Sequence, residues 1–263
     1  MSTGARLGAY VPWQLRDYFM DRGAPTALVG ALFGYMVAGP MIAAMHHRME
    51  RMSANAIAAL GGPESARAMM IGELTGTFLT LLLGNLVFLG ALFAMNGIVA
   101  NDRKQGFYRF LFSKPLAPAR YYGQAFVVHG AGFLVVVTLL GLLFRVLVGP
   151  VLTGPLYAAV TLMYLCYAGI AFALSAAARW DWLSLVVVTV AANYFWIRYG
   201  ASDSALSGLL YLLPPIHRSS EVYEAVAKGM ALPWHLLGWY AAYGVVCFAI
   251  GLVVLRLRRL AIV

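Results

Sequence analysis

The chain has 263 residues, of which 62% are apolar (AVILMFWYC) and only 11% are charged. An ordinary soluble domain carries about 25% charged residues, so this chain cannot clothe a water-facing surface, and its mean hydropathy of +0.78 agrees. A soluble enzyme, a disordered tail and a disulfide scaffold are excluded; an integral membrane protein remains. The net charge of +9 sits between apolar stretches, which assigns it to cytoplasmic loops and anionic lipid headgroups and not to nucleic acid.

The first predicted element is a short helix over about 10–22, lying in the membrane surface. Val11, Leu15, Tyr18 and Phe19 follow helical spacing, with Gln14, Asp17 and Asp21 elsewhere around the helix. Pro12 suits a first helical turn and Trp13 an interfacial anchor. The alternative is a plain aromatic flank. Gly23–Pro25 then predicts a turn into the first span. No cleavable signal peptide is expected, because charges precede the first apolar run and that run is too long for one.

A bilayer-crossing helix needs about 20 mostly apolar residues. Six uncharged stretches qualify: Gly23–His47, Leu74–Asn101, Tyr121–Phe144, Val146–Ala178, Trp182–Ile197 and Gly229–Leu255. They predict spans at about 26–45, 74–100, 121–145, 156–178, 182–200 and 233–255. Pro150 and Pro155 put the start of the fourth helix near Leu156. The fifth run is the shortest, and it must borrow neighbouring residues or a thin patch of bilayer. Apolar residues run continuously and do not alternate, which argues against a β-barrel. The fold class is therefore all-α: one polytopic transmembrane domain over 1–263. An even number of spans puts both termini on one side, and the excess of Lys and Arg in the alternating inner segments makes that side the cytoplasm of a plasma or inner-membrane protein.

Of the outer segments, 46–70 is polar and broken at Gly61-Gly62-Pro63. The segment at about 201–229 holds an apolar run, Leu206–Leu213, that ends at Pro214-Pro215. A short helix follows, with Ser220 as its expected cap, Glu221 and Glu224 in its first turn, Glu224 pairing with Lys228, and Gly229 ending it. The apolar half is expected to dip into the outer leaflet and return as a re-entrant segment.

The inner segment 101–122 reads NDRKQGFYRFLFSKPLAPARYY. It has five Lys or Arg, a glycine that permits a sharp turn, and an amphipathic run in which Phe107, Phe110 and Leu111 share a face while Lys104 and Arg109 point elsewhere. Such a helix, parallel to the membrane, suits a cleft on a soluble partner; the alternative is a basic inner loop with a turn.

The order of a surface helix, six spans, this loop and a proline-interrupted outer segment resembles the membrane subunit of type-2 ABC exporters, the ABC-2 permease family. The family pattern is roughly Glu-Arg-x-x-Gly-Thr, an apolar pair and a proline. Asp102, Arg103, Gly106, Leu111 and Pro115 match it in place, while Phe107 stands where Thr is usual and Arg109 where an acid is common. The resemblance implies a dimer of permease subunits, homo- or heteromeric, coupled to two cytoplasmic ATPases through the loop, with Asp102, Arg103, Lys104, Gly106, Phe107, Arg109, Phe110, Leu111 and Pro115 as coupling residues. It also implies that ATP and Mg²⁺ belong to the partner, since the chain lacks GxxxxGK[ST]. The short inner turn Arg179-Trp180-Asp181-Trp182 is expected to be a secondary contact at most.

Glu73, Arg145 and Arg198 fall near the outer ends of their spans and are candidates for paired gate charges; the alternative is that each snorkels to the headgroups. Gly30 and Gly34 would allow close helix approach at a dimer interface. His129 reads as a buried histidine bonded to a neighbouring helix. Cys166 and Cys247 read as small hydrophobes. Asn85, Asn96 and Asn193 read as packing glue. No triad, carboxylate pair or metal motif is present, so the expected function is export by a permease that is not itself an enzyme and needs no cofactor of its own, with a lipid-like, amphiphilic or drug-like substrate. A stand-alone secondary transporter or channel would call for intramembrane acids and an internal repeat. A non-transporting scaffold would tolerate charge reversal at Arg103, Lys104 and Arg109.

Overall fold

The computed structural model describes residues 8–59, 61–106, 117–177, 184–200, 210 and 212–257. Every regular element among them is helical. Helix α1 is Val11–Asp17, α2 Ala24–Arg51, α3 Ala54–Ala59, α4 Pro63–Leu81, α5 Val87–Met95, α6 Ile98–Lys104, α7 Pro118–Leu147, α8 Gly154–Ala177, α9 Ser184–Tyr199, α10 Ser219–Ala227 and α11 Trp234–Leu257. Among the described residues, four helical stretches are long and apolar enough to cross a membrane: Pro63–Lys104, Pro118–Leu147, Gly154–Ala177 and Trp234–Leu257. The apolar helix over Leu185–Tyr199 is shorter. Leu139, Leu142, Leu143 and Val146 on α7, and Val245, Val246, Ile250 and Val253 on α11, face outward uncovered. Aliphatic side chains on the outside of long helices whose backbone bonds are internally closed are what a lipid solvent permits.

Helix α8 lies at the centre, packed against α5, α6, α7, α9, α10 and α11, and Leu156, Met163, Tyr167 and Phe172 on it are fully buried. Its tightest neighbour is α11. A Cβ added at Gly169 would meet the Gly244 backbone, and one added at Gly244 would lie 2.6 Å from the Leu165 carbonyl carbon. Lipid supplies no hydrophobic force between helices, so close backbone approach through small residues is how such pairs gain contact.

Four local expectations are corrected. The turn at Gly23–Pro25 is absent: a π-helical turn, Tyr18–Gly23, joins α1 to α2 without a break. Pro25 has no N–H and its ring crowds the carbonyl four residues back. The wider turn, in which the Ala24 N–H reaches Phe19 O, accommodates both. Gln14, expected on the polar side, is buried against α7, where its Nε2 donates to Tyr121 O at 3.4 Å. The second predicted span, 74–100, starts eleven residues early at Pro63 and is interrupted at Asn96-Gly97, where Asn96 is extended and Gly97 is left-handed (φ +76°). Ser220 is no cap, because α10 begins one residue earlier, after a 3-10 turn Pro215–Arg218, with no side chain bonded to its first amides. The Glu224–Lys228 pair forms at 2.8 Å and Gly229 ends the helix at φ +63°.

Candidate functional site

The break at Asn96-Gly97 exposes the ends of two helices inside the bundle. A helix end leaves backbone carbonyls or amides without partners, and buried ones must find them elsewhere. At the C-terminal end of α5, the Arg22 guanidinium supplies the donor: Nη1 bonds Ala94 O at 2.8 Å and Phe93 O at 3.4 Å. A cation there also meets the negative end of the helix dipole. Asp17, one turn back along the N-terminal helix, lies 3.4 Å from Arg22 Nε. Burial raises the Asp17 carboxyl above its ordinary value, with Arg22 opposing more weakly. The buried His129 ring on α7 reaches the same Ala94 carbonyl at 3.4 Å, in the role expected for it.

At the N-terminal end of α6 the partner comes from α8. Ser175 Oγ accepts from Val99 N at 2.9 Å and from Ala100 N at 3.4 Å. This is an N-cap supplied by a residue 76 positions away in sequence. Two more bonds fix the far end of α6. Tyr122 on α7 donates its hydroxyl to Asp102 Oδ2 at 2.8 Å, and Arg103 Nη1 donates to Ala176 O at 3.4 Å. Gly106 follows at φ +77°, its N–H on Arg103 O. Helix α6 is thus a seven-residue segment, set off from α5 by the left-handed Gly97 and bonded to α7 and α8 by named side chains. It leads straight into the basic loop.

Of the nine coupling candidates, Asp102 and Arg103 are half-buried in these clamps, while Lys104 and Gly106 are exposed. Phe107, Arg109, Phe110, Leu111 and Pro115 lie outside the described residues, as does the Arg179–Trp182 turn. Glu73, Arg145 and Arg198 are exposed, and among the described residues no ion pair joins them; Glu73 instead shares a cleft with Arg48 and Arg51. Gly30 packs inside the chain, where an added Cβ would come 2.6 Å from Leu140 Cδ1, while Gly34 faces open space. Cys166 is buried, Cys247 is half-buried, and both are free. Among the described residues no group of His, Cys, Asp or Glu is arranged to hold a metal ion.

Sequence reasoning missed Arg22 and Ser175 as caps and Gly169–Gly244 as a crossing point. The signal for the break was present, since Asn-Gly is a turn dipeptide wherever it occurs. Nothing in sequence spacing connects residue 22 to residue 94. Compared with known proteins, the chain matches no protein-family model and no curated protein.

Proposed function

We propose that this chain is the permease subunit of an ATP-driven exporter of the ABC-2 type. In this reading two permease subunits form the path, and a separate ATPase docks on the loop 101–122. Six spans cross a plasma or inner membrane: α2 and α9 join the four apolar stretches named above, both termini are cytoplasmic, and the segment around 201–229 re-enters the outer leaflet. Nucleotide-driven closure of the ATPases pulls on α6. The clamps on Asp102 and Arg103 pass that pull to α7 and α8, shifting the dimer from inward-open toward outward-open. A lipid-like or amphiphilic substrate then leaves between the subunits.

The observation that carries this reading is the bonding of α6 to its neighbours. A docking loop passes on a pull only if its root is tied to the spans, and α6, set off from α5 by the left-handed Gly97, is bonded to α8 through Ser175 and to α7 through Tyr122. The re-entrant reading draws support from α10, whose Tyr223 ring packs 3.3 Å from the Cβ position of Gly84, well inside the apolar run of the second span. The test is co-purification from native membranes. A P-loop ATPase is expected to accompany the intact protein and to be lost when Gly106–Pro115 is replaced by a Gly/Ser linker. Transport by the purified chain alone, without nucleotide, defeats the proposal.

A further inference from the structure

We propose that the cleft where α2 meets α4 binds a phospholipid whose headgroup carries both a phosphate and a primary ammonium group. The cleft has a volume of about 630 Å³, within the range of small-molecule sites. Its polar lining is His47, Arg48 and Arg51 near the end of α2 and Glu73 on α4. The arginines are three residues apart and share one face of the helix. The charge-free run of α2 ends at His47 and that of α4 begins at Leu74, so both sets of charges sit at the level where the apolar helix surface stops. That is the headgroup level of a bilayer. Met41 and Met70, on the same cleft, give an acyl chain an adaptable apolar surface.

Among the described residues no ion pair engages Arg48, Arg51 or Glu73. Two guanidinium forks match a phosphodiester through charge-assisted bonds. The carboxylate in the same cleft would repel a purely anionic head and takes an N–H donor instead. A quaternary ammonium has no N–H to give, and the described lining has no Trp, Tyr or Phe ring to receive it by cation–π contact.

The inference needs only the membrane setting and not ATPase coupling, so it is tested by binding without transport. The full-length protein, delipidated in detergent, is titrated with dioleoyl phosphatidylethanolamine, phosphatidylglycerol and phosphatidylcholine, and adducts are read by native mass spectrometry. Phosphatidylethanolamine is expected to bind roughly tenfold tighter than phosphatidylcholine. The double variant Arg48→Gln/Arg51→Gln should lose that preference, Arg48→Lys/Arg51→Lys should retain part of it, and Glu73→Gln should bring phosphatidylethanolamine down to phosphatidylglycerol. Arg67→Gln, on the neighbouring exposed surface, serves as the control. Equal binding of the three lipids, or a preference that survives the double Gln variant in a folded protein, overturns the proposal. Competition by free O-phosphoethanolamine at lipid concentrations also overturns it, by making the cleft a site for a soluble phosphate.

Discussion

Arg22 and Ser175 are single side chains that close opposite ends of one backbone gap, and their removal should be felt differently. Arg22→Gln keeps a donor but loses the charge on the Ala94 and Phe93 carbonyls and leaves Asp17 without its ion partner; a loss of about 1.5–3 kcal/mol is expected. Ser175→Ala strands the Val99 and Ala100 amides and should cost about 1 kcal/mol, as other N-caps do. Thermal unfolding in detergent measures both. If the coupling reading holds, Ser175→Ala should also lower transport more than its stability loss explains. At the start of α10, Arg218 donates to both Glu221 oxygens at 2.6 and 2.9 Å. That bond holds the Glu221 carboxyl below its ordinary value. The sign follows: the pair contributes fully above the ordinary glutamate pKa and is lost as pH falls through the lowered folded value. Carboxylate titration by NMR should show this downward shift, and Arg218→Gln should abolish it.

Among elements, the pairing of α8 with α11 decides how the bundle closes. Gly169 and Gly244 let the two backbones touch, and Gly251 lies against Phe172 one crossing further on, where an added Cβ would sit 2.6 Å from the ring. Gly244→Val has no flexible neighbour to displace, only backbone, so overpacking of about 1–3 kcal/mol or more is expected. Gly34→Ala, which meets nothing within 4 Å in the chain, should leave the unfolding temperature of the isolated subunit unchanged. A fall in dimer stability with Gly34→Leu, at constant subunit stability, would support a role for that face between copies. Helix α2 makes the opposite point about prolines. Pro40 lies inside it and Pro25 at its start, yet neither ends it; at Pro25 the wider π turn Tyr18–Gly23 accommodates the ring and the missing N–H.

For the molecule as a whole, the six-span reading makes a sided prediction. Cysteines introduced by Gly106→Cys, Gly62→Cys and Gly229→Cys, with Cys166 and Cys247 replaced by Ala, should label from opposite sides. The first is expected to react only from the cytoplasm and the other two only from outside; labelling of all three from one side defeats the topology. All-helical architecture and apolar spans were legible in composition and in the length of charge-free runs, because a bilayer solvent demands both of any crossing segment. So were the buried role of His129, the Glu224–Lys228 pair and the stop at Gly229, which depend on local chemistry. The burial of Gln14, the unbroken passage through Gly23–Pro25, the caps at Arg22 and Ser175 and the Gly169–Gly244 crossing were not. Each depends on which distant helix stands alongside, and a one-dimensional pattern holds no record of that. Chain composition alone determined that this protein lives in a membrane as helices; only the tertiary packing decided which side chains hold the break within Pro63–Lys104, because orphaned backbone groups take whatever partner the fold brings within reach.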